Sequence, residues 1–164
     1  MKKNICEYSE KIFIPQLTQE EKKAIYHYSW DQFEEINYKL RTQQESQEAK
    51  LISQAIKKFQ YDKPIRVYRK LRVSKTEMQK LVELCARGFI IDKAFQSTSL
   101  SLNGYKMTGN VYIDINIENP TIGAYIDPIS YYKEQEYLID QDTRIDIDYF
   151  STNDQFMNIK GRVK

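Results

Sequence analysis

The chain has 164 residues, of which 41% are hydrophobic and 13% aromatic, and its net charge is +2. This length fits one domain with its own core, and the apolar and aromatic content excludes a disordered protein. The nearly balanced charge identifies no class of partner, and the basic stretch 63–80 is read first as a solvated surface. The cysteines Cys6 and Cys85 match neither a metal spacing nor a disulfide framework, and Cys85 is predicted to be buried.

The N-terminal residues contain two lysines but no apolar run of seven or more residues, so we expect no secretory signal. No stretch approaches the eighteen apolar residues of a membrane span. The expected place of action is a cytosol, either of the producing cell or of a target cell. Delivery to a target cell would use another route or a longer chain.

The first part of the chain has helical periodicity. Thr18, followed by two glutamates, predicts a helix start, and apolar residues at helical spacing continue to Asn37. A break is predicted near Trp30, with Ser29 or Asp31 as the cap of a second helix. A third helix is predicted over residues 46–59, and a Pro-containing segment ends it.

After residue 64 the hydrophobic period changes from helix to strand. Residues 65–71 alternate and place Arg69 on the same strand face as three aliphatic side chains. A helix is predicted over 74–86, and strands over 95–102, 111–117, 123–126, 134–139 and 143–149. Helices in about 1–60 and strands in about 61–164 predict a single α+β domain spanning 1–164. Neither a dinucleotide fingerprint nor a P-loop occurs.

Three local features carry possible chemistry. Arg69 is a charged residue on an apolar strand face and needs a partner. Ser97-Thr98-Ser99 places two hydroxyls on one strand face, where they can hold a polar side chain or a ligand. Each feature alone is more commonly structural: a salt-bridged strand arginine and satisfied strand serines.

The third feature is the pair Glu134 and Glu136. In a strand, residues two apart point the same way, so their carboxylates are expected about 6 to 7 Å apart at the backbone. Repulsion between them would raise one pKa. Paired carboxylates suit chemistry at an anomeric carbon, although an exposed charged turn is the commoner reading of such a pair alone.

In this order and spacing, the sequence resembles the mono-ADP-ribosyltransferase exoenzyme family, in the branch marked by an arginine, a Ser-Thr-Ser strand and a Glu-x-Glu motif. The helical stretch with Tyr28-Ser29, Ile36-Asn37 and Leu40-Arg41 is also similar to the family's helices over the NAD. The resemblance covers about residues 18–149. The matching strand segments are 67–69, 92–100, 123–126 and 134–139.

The resemblance implies two packed β-sheets with N-terminal helices and an NAD cleft between them. It implies that Arg69 binds the NAD phosphates and that Ser97 positions Glu136. Glu136 would bind the nicotinamide ribose and stabilise the oxocarbenium ion as nicotinamide leaves. Glu134 would act on the incoming nucleophile and favour arginine acceptors, and Tyr131 would recognise the protein substrate.

Further contacts to NAD are implied for Tyr28, Phe33 and Asn37, and for Tyr105, which would supply a ring near the nicotinamide. NAD is therefore the expected co-substrate. No metal is implied, because His27 is the only histidine of the chain. The expected partner of a monomeric enzyme is a protein acceptor, with neither nucleic acid nor membrane involved.

Two alternative functions remain open. An NAD glycohydrolase would use the same NAD site with water as the only acceptor. A catalytically inactive interaction domain would keep the fold without binding NAD, and the complete set of Arg69, Ser97, Glu134 and Glu136 counts against this alternative.

Overall fold

Most helices of the chain precede its strands, as the periodicity predicts. The computed structural model describes residues 2–103 and 108–164. Five α-helices lie within these residues, and the short α1 was not predicted. They span Lys2–Tyr8 (α1), Gln19–His27 (α2), Phe33–Arg41 (α3), Gln47–Lys57 (α4) and Lys75–Arg87 (α5).

Local capping fixes where three of these helices begin. The Thr18 hydroxyl accepts a bond from the Glu21 backbone N–H, and the Glu21 carboxylate accepts one from the Thr18 N–H, which completes a capping box. Ser46 caps α4, and Ser74 caps α5. The predicted starts of these helices are confirmed.

The predicted division into two helices near Trp30 is present, but the predicted capped break is wrong. A π-helical turn over Tyr28–Gln32 joins α2 to α3, so the backbone stays helical through the segment. Neither Ser29 nor Asp31 caps a helix there. The Ser29 hydroxyl donates instead to the Tyr26 carbonyl at 2.8 Å. A π turn admits one extra residue per turn, and this shifts the side chains that follow around the helix axis.

Eight strands within the described residues form one hydrogen-bonded ladder in the order β2-β7-β8-β4-β1-β3-β6-β5. Only β4 and β8 pair in parallel. The strands span Ile65–Leu71 (β1), Phe89–Asp92 (β2), Gln96–Ser99 (β3), Val111–Ile117 (β4), Gly123–Tyr125 (β5), Glu136–Ile139 (β6), Thr143–Thr152 (β7) and Met157–Val163 (β8).

The α+β class is confirmed. Near its middle, between β1 and β3, the ladder has few paired residues, and we call this contact the narrow join. β1 and β3 share the single pair Tyr68↔Ser99, whereas β1 and β4 share seven pairs. The join divides the ladder into a five-stranded part and a three-stranded part, which take the place of the two expected sheets. One apolar core runs along both parts and includes Ile52 of α4, Phe59 and Tyr137.

Several predicted strands differ in extent from the observed ones. β3 is shorter than the predicted 95–102, and β6 begins at Glu136, so residues 134 and 135 precede the strand. β2 and β8 were not predicted. Cys85 is buried as predicted, and burial raises the pKa of its thiol to about 11. In the described part of the chain, none of the helices has both the length and the apolar character needed to cross a membrane.

Candidate functional site

Glu136 opens strand β6 with its side chain only 6% exposed. Its Oε1 accepts a hydrogen bond from the Ser97 hydroxyl at 2.6 Å, and its Oε2 accepts one from the Ser130 hydroxyl at 3.2 Å. Burial raises the pKa of Glu136 to about 7, and the two hydroxyls only partly offset this effect. The charges of Glu134 and Asp127 raise the pKa further. Near neutral pH this carboxyl group is thus poised between its two protonation states.

Glu134 does not share a strand face with Glu136, and that prediction is wrong. The intervening residue, Gln135, has φ of 53°, in the left-handed region, so the alternation of a strand does not apply. The Glu134 carbonyl accepts a hydrogen bond from the Ser99 hydroxyl at 2.7 Å, which holds the turn against β3. Glu134 is half-buried at the end of the preceding loop, close enough for its charge to act on Glu136.

Strands β1, β3 and β6 bring the arginine, the serines and Glu136 together. β3 lies between the other two and pairs antiparallel with β6, with Ser99 opposite Glu136. Ser97 lies two residues away on the same strand face, within reach of the carboxylate. Arg69 of β1 is half-buried and donates from Nη1 to the Ser97 carbonyl at 3.3 Å. The three motifs therefore meet at the narrow join of the ladder.

The π turn and α3 cover the site from the helical side. Tyr28 is buried, and its hydroxyl accepts a hydrogen bond from Asn37 Nδ2 at 3.0 Å. The Asn37 Oδ1 accepts in turn from the Phe95 N–H at 3.3 Å. Burial raises the pKa of Tyr28 above its ordinary range, and the charges of Glu136 and Arg69 also act on it. Tyr28 and Asn37 thus form a fixed wall beside the glutamate.

Phe33 and Tyr131 are exposed, unlike the buried Tyr28 and Asn37. Phe33 is exposed at the start of α3, with its ring 6.5 Å from the Tyr28 ring. Tyr131 is exposed on the loop before Glu134, and its backbone N–H donates to Ser29 Oγ at 2.8 Å. Tyr105 lies outside the described residues.

Arg41 and Asp92 form an ion pair, and the charge of Arg41 acts on Tyr28. Arg41 Nε and Nη2 donate to the two Asp92 carboxylate oxygens at 3.1 and 2.8 Å. Burial alone would raise the pKa of Asp92, but the hydrogen bonds from Arg41 and the Ala94 N–H, together with the charge of Arg41, hold it below its ordinary value. Both residues lie in segments that resemble the family, but the sequence alone assigned neither of them a role. Their pairing depends on a contact between α3 and the end of β2.

The ammonium group of Lys133 holds the loop 127–133 together through three hydrogen bonds. Lys133 Nζ donates to the carbonyls of Asp127, Pro128 and Ser130 at 2.6, 3.1 and 2.9 Å. The Asp127 carboxylate also accepts from the Glu136 N–H at 3.2 Å. The loop that leads to Glu134 is therefore tied to the strand that carries Glu136. Nothing in the sequence alone indicated that Ser130 or Lys133 belongs to the site.

Among the described residues, no group of three or more His, Cys, Asp or Glu side chains is placed to hold a metal ion. The chemistry that the site offers is electrostatic. It combines a buried carboxylate, a second carboxylate at the rim, Arg69 and the ion pair of Arg41 with Asp92. Such an arrangement suits a ligand that carries negative phosphates at one end and develops positive charge at the other.

Comparison with known structures shows the same fold in several bacterial proteins. Plx2a, an ADP-ribosyltransferase toxin from Paenibacillus larvae, is 24% identical with a TM-score of 0.77, covering 99% of this chain and 96% of that one. An ADP-ribosyltransferase from Clostridium botulinum is 22% identical with a TM-score of 0.80, covering 99% and 94%. C3stau2 from S. aureus, solved with NAD, is 16% identical with a TM-score of 0.77, covering 98% and 94%.

A search of curated protein sequences finds no match. The model of the family described as ADP-ribosyltransferase exoenzyme matches residues 2–163, which is nearly the whole chain. The chain belongs to the ADP-ribosyltransferase exoenzyme family.

Proposed function

We propose that this protein is a mono-ADP-ribosyltransferase that cleaves NAD, releases nicotinamide and transfers ADP-ribose to an arginine side chain of a protein. The observation that carries the proposal is the buried Glu136 carboxylate, held by Ser97 and Ser130. Arg69 lies nearby, anchored to the same serine of β3. The NAD present with C3stau2, which has the same fold, supports NAD as the co-substrate.

Arg69 is proposed to bind the phosphates of NAD. A planar guanidinium can donate two parallel hydrogen bonds to a phosphate, and its contact with the Ser97 carbonyl limits its freedom before the ligand arrives. Tyr28 and Asn37 are proposed to contact NAD as a rigid wall, because their polar groups already bond to each other. Phe33, exposed at the start of α3, offers a ring face to the ligand.

Glu136 is proposed to bind the nicotinamide ribose and to stabilise the positive charge that develops at its anomeric carbon. The bond to nicotinamide breaks with its electron pair leaving on the nicotinamide nitrogen. A buried carboxylate interacts with the developing charge more strongly than a solvated one. The hydroxyls of Ser97 and Ser130 fix both carboxylate oxygens, so the group needs little reorganisation as the charge forms.

Glu134 is proposed to act on the acceptor. Its position at the rim lets a guanidinium approach from outside and pair with the carboxylate. A guanidinium nitrogen forms the new bond to the anomeric carbon, and its proton passes to Glu134. Tyr131, three residues earlier on the same loop, is proposed to contact the acceptor protein. That the enzyme is a monomer and that it acts in a cytosol both remain predictions.

The first test replaces the buried carboxylate. Glu136→Gln is expected to lower NAD cleavage by at least about 10²-fold, because it removes the charge while keeping the size of the side chain. The measurement is nicotinamide release, with circular dichroism as the check of the fold. Glu118→Gln, at an exposed position just after β4, is the matched control and should be unchanged. Wild-type cleavage by Glu136→Gln would refute this role.

The second test separates transfer from hydrolysis. Glu134→Gln is expected to lower transfer to agmatine, a small guanidine, by at least about tenfold, because an amide cannot accept the guanidinium proton. Hydrolysis of NAD by water should persist. If transfer and hydrolysis fall together, Glu134 serves the NAD site and the acceptor assignment is wrong. If the wild type hydrolyses NAD but modifies no guanidine, the protein is an NAD glycohydrolase.

A further inference from the structure

Ser29 links the π turn to the loop 127–133, although neither helix capping nor the proposed chemistry uses it. It lies in the π turn and is 8% exposed. Its hydroxyl oxygen accepts a hydrogen bond from the Tyr131 backbone N–H at 2.8 Å, and the hydroxyl donates to the Tyr26 carbonyl at 2.8 Å. A buried hydroxyl that both donates and accepts is held in one orientation. The link between the helical segment and the loop is therefore fixed at both ends.

The bond from Ser29 fixes the backbone beside Ser130. The Tyr131 N–H and the Ser130 carbonyl belong to one planar peptide unit, so holding the N–H also orients the carbonyl side of Ser130. The Ser130 side chain is 3% exposed, and its hydroxyl donates to Glu136 Oε2 at 3.2 Å. Two hydrogen bonds and one peptide unit therefore connect the π turn to the buried carboxylate.

The Ser130 hydroxyl lies at the same distance from two acceptors. Glu136 Oε2 and the Tyr132 carbonyl oxygen are both 3.2 Å from its oxygen. A hydroxyl has one hydrogen, so a full hydrogen bond to one acceptor weakens the bond to the other. The Tyr132 carbonyl belongs to the loop, directly after the residue that Ser29 holds. The position of this part of the loop thus determines which acceptor receives the proton.

The residue before Ser29 contributes to the NAD side of the site. Tyr28 is buried, and the charge of Glu136 acts on its phenol. Neighbouring residues of a helical turn point in different directions, so Tyr28 can line the cleft while Ser29 meets the loop. One turn of helix therefore places both a wall of the proposed NAD cleft and the loop that contacts Glu136.

We propose that Ser29 is a positioning residue for Glu136, which holds the Ser130-Tyr131 peptide so that the Ser130 hydroxyl donates to the carboxylate instead of the Tyr132 carbonyl. The inference rests on the proposed function, which gives Glu136 its role in NAD cleavage. Ser29 acts through Ser130 and needs no contact with NAD or with the acceptor.

The test follows the titration of Glu136 in the free protein, through the ¹³C chemical shift of its carboxyl carbon. The variants are Ser29→Ala, Ser130→Ala and the double variant. The bond from Ser130 lowers the pKa of Glu136, so each single variant should raise the titration midpoint by about half a pH unit. The double variant should move it no further than Ser130→Ala does, because both changes remove the same bond. Ser29→Thr keeps a hydroxyl and should titrate as the wild type does.

The other groups that act on the titration stay unchanged in these variants. They are the charges of Glu134 and Asp127, the Ser97 hydroxyl and, on the helical side, the Tyr28 phenol. The pH profile of kcat/KM for nicotinamide release is the second measurement, and Ser29→Ala should move it to higher pH by the same amount.

Ser53→Ala is the matched control for the loss of a buried helix hydroxyl. Ser53 is also 8% exposed, and its hydroxyl also links a helix to a distant segment, donating to Asp140 at 2.7 Å and accepting from Gln141 at 3.0 Å. This variant should lose stability and keep the wild-type midpoint for Glu136.

An unmoved midpoint in Ser29→Ala would overturn the inference. A shift in the double variant equal to the sum of the two single shifts would overturn it as well, because Ser29 would then act independently of Ser130. Failure of the wild type to release nicotinamide from NAD would refute the proposed function instead. The titration needs no NAD and would still decide whether Ser29 positions Glu136.

Discussion

The Glu136 carboxyl group is buried, and burial favours its neutral form. The proposed chemistry needs the ionised form, because only a carboxylate stabilises a developing cation. The hydroxyls of Ser97 and Ser130 shift the balance back toward ionisation. The positively charged nicotinamide ring of NAD would shift it further when it binds nearby. The two serines thus lower the pKa of a group that titrates near neutral pH.

The pH dependence of the reaction follows from this balance. For the wild type, kcat/KM for NAD cleavage is expected to rise with pH through an apparent pKa of about 7, because this parameter reports the free enzyme. Ser97→Ala removes a hydrogen bond that lowers the pKa of Glu136, so its profile should move to higher pH. Rate profiles between about pH 5 and 9 measure both. Ser151→Ala on β7 is the control, and an unmoved or acid-shifted profile for Ser97→Ala would contradict the tuning.

The same carboxyl group makes stability depend on pH. Its folded pKa of about 7 lies above the ordinary 4.5, so the folded state binds the proton more tightly than the unfolded state. The stability contributed by this proton is present below the unfolded pKa and is lost as the pH rises through 7. At pH 8 the loss approaches about 3 kcal/mol, from the shift between those two pKa values.

Glu136→Gln should therefore be more stable than the wild type at pH 8, because the amide stays neutral, and the gap should narrow at pH 5. Urea unfolding at the two pH values measures the difference in the free energy of unfolding. A difference in the free energy of unfolding between Glu136→Gln and the wild type that is the same at pH 5 and pH 8 would show that the site is not strained by the charge. Such a trade between stability and activity is common at catalytic groups.

At the scale of elements, the hydrogen bonds of Lys133 keep the loop 127–133 in one conformation. Lys133→Met keeps the apolar stem of the side chain and removes three hydrogen bonds, each contributing on the order of 1 kcal/mol. We expect faster hydrogen exchange of the loop amides and weaker transfer to arginine, because Glu134 follows the loop directly. Lys160→Met, exposed on β8, is the control. Exchange at the wild-type rate in Lys133→Met would show that the loop is held by other contacts.

The elements that the sequence predicts correctly are those with local causes. Thr18, Ser46 and Ser74 begin helices because their hydroxyls meet N–H groups three residues ahead. β1 and β4 match the predicted ranges, since strict alternation follows from one buried face. The π turn was missed because no local residue signals the extra residue that it accommodates.

Strand β8 was missed although its residues alternate between buried and exposed. The sequence alone predicted no element after residue 149. In the fold, Gly161 allows close packing, since a Cβ atom built there would lie 2.8 Å from the Asp146 carbonyl oxygen. The reason for this glycine is a neighbouring strand, which the sequence alone does not show.

The same holds for the candidate site: the sequence predicts the residues that local motifs mark, and it does not predict contacts between distant segments. Arg69, Ser97 and Glu136 could be named from motif order, but the strand geometry expected for Glu134 failed at Gln135, whose positive φ has no signal in the sequence. The second hydroxyl on Glu136, from Ser130, and the pairing of Arg41 with Asp92 depend on contacts between distant segments.

At the scale of the whole molecule, the site forms where three structural units meet. The π turn and α3 supply Tyr28 and Asn37, the five-stranded part of the ladder supplies Arg69, and the three-stranded part supplies Ser97 and Glu136. β1 and β3, the strands where the two parts of the ladder meet, share the one paired position Tyr68↔Ser99. The functional residues therefore come together only in the complete fold, next to the narrow join between β1 and β3.

The central claim is that this protein breaks NAD at Glu136 and transfers ADP-ribose to a guanidinium group. The most direct measurement is mass spectrometry of the products after incubation with NAD and agmatine. We expect ADP-ribosyl-agmatine together with nicotinamide from the wild type, and at least about 10²-fold less of both from Glu136→Gln. Intact NAD with the wild type, or free ADP-ribose beside unmodified agmatine, would contradict the claim.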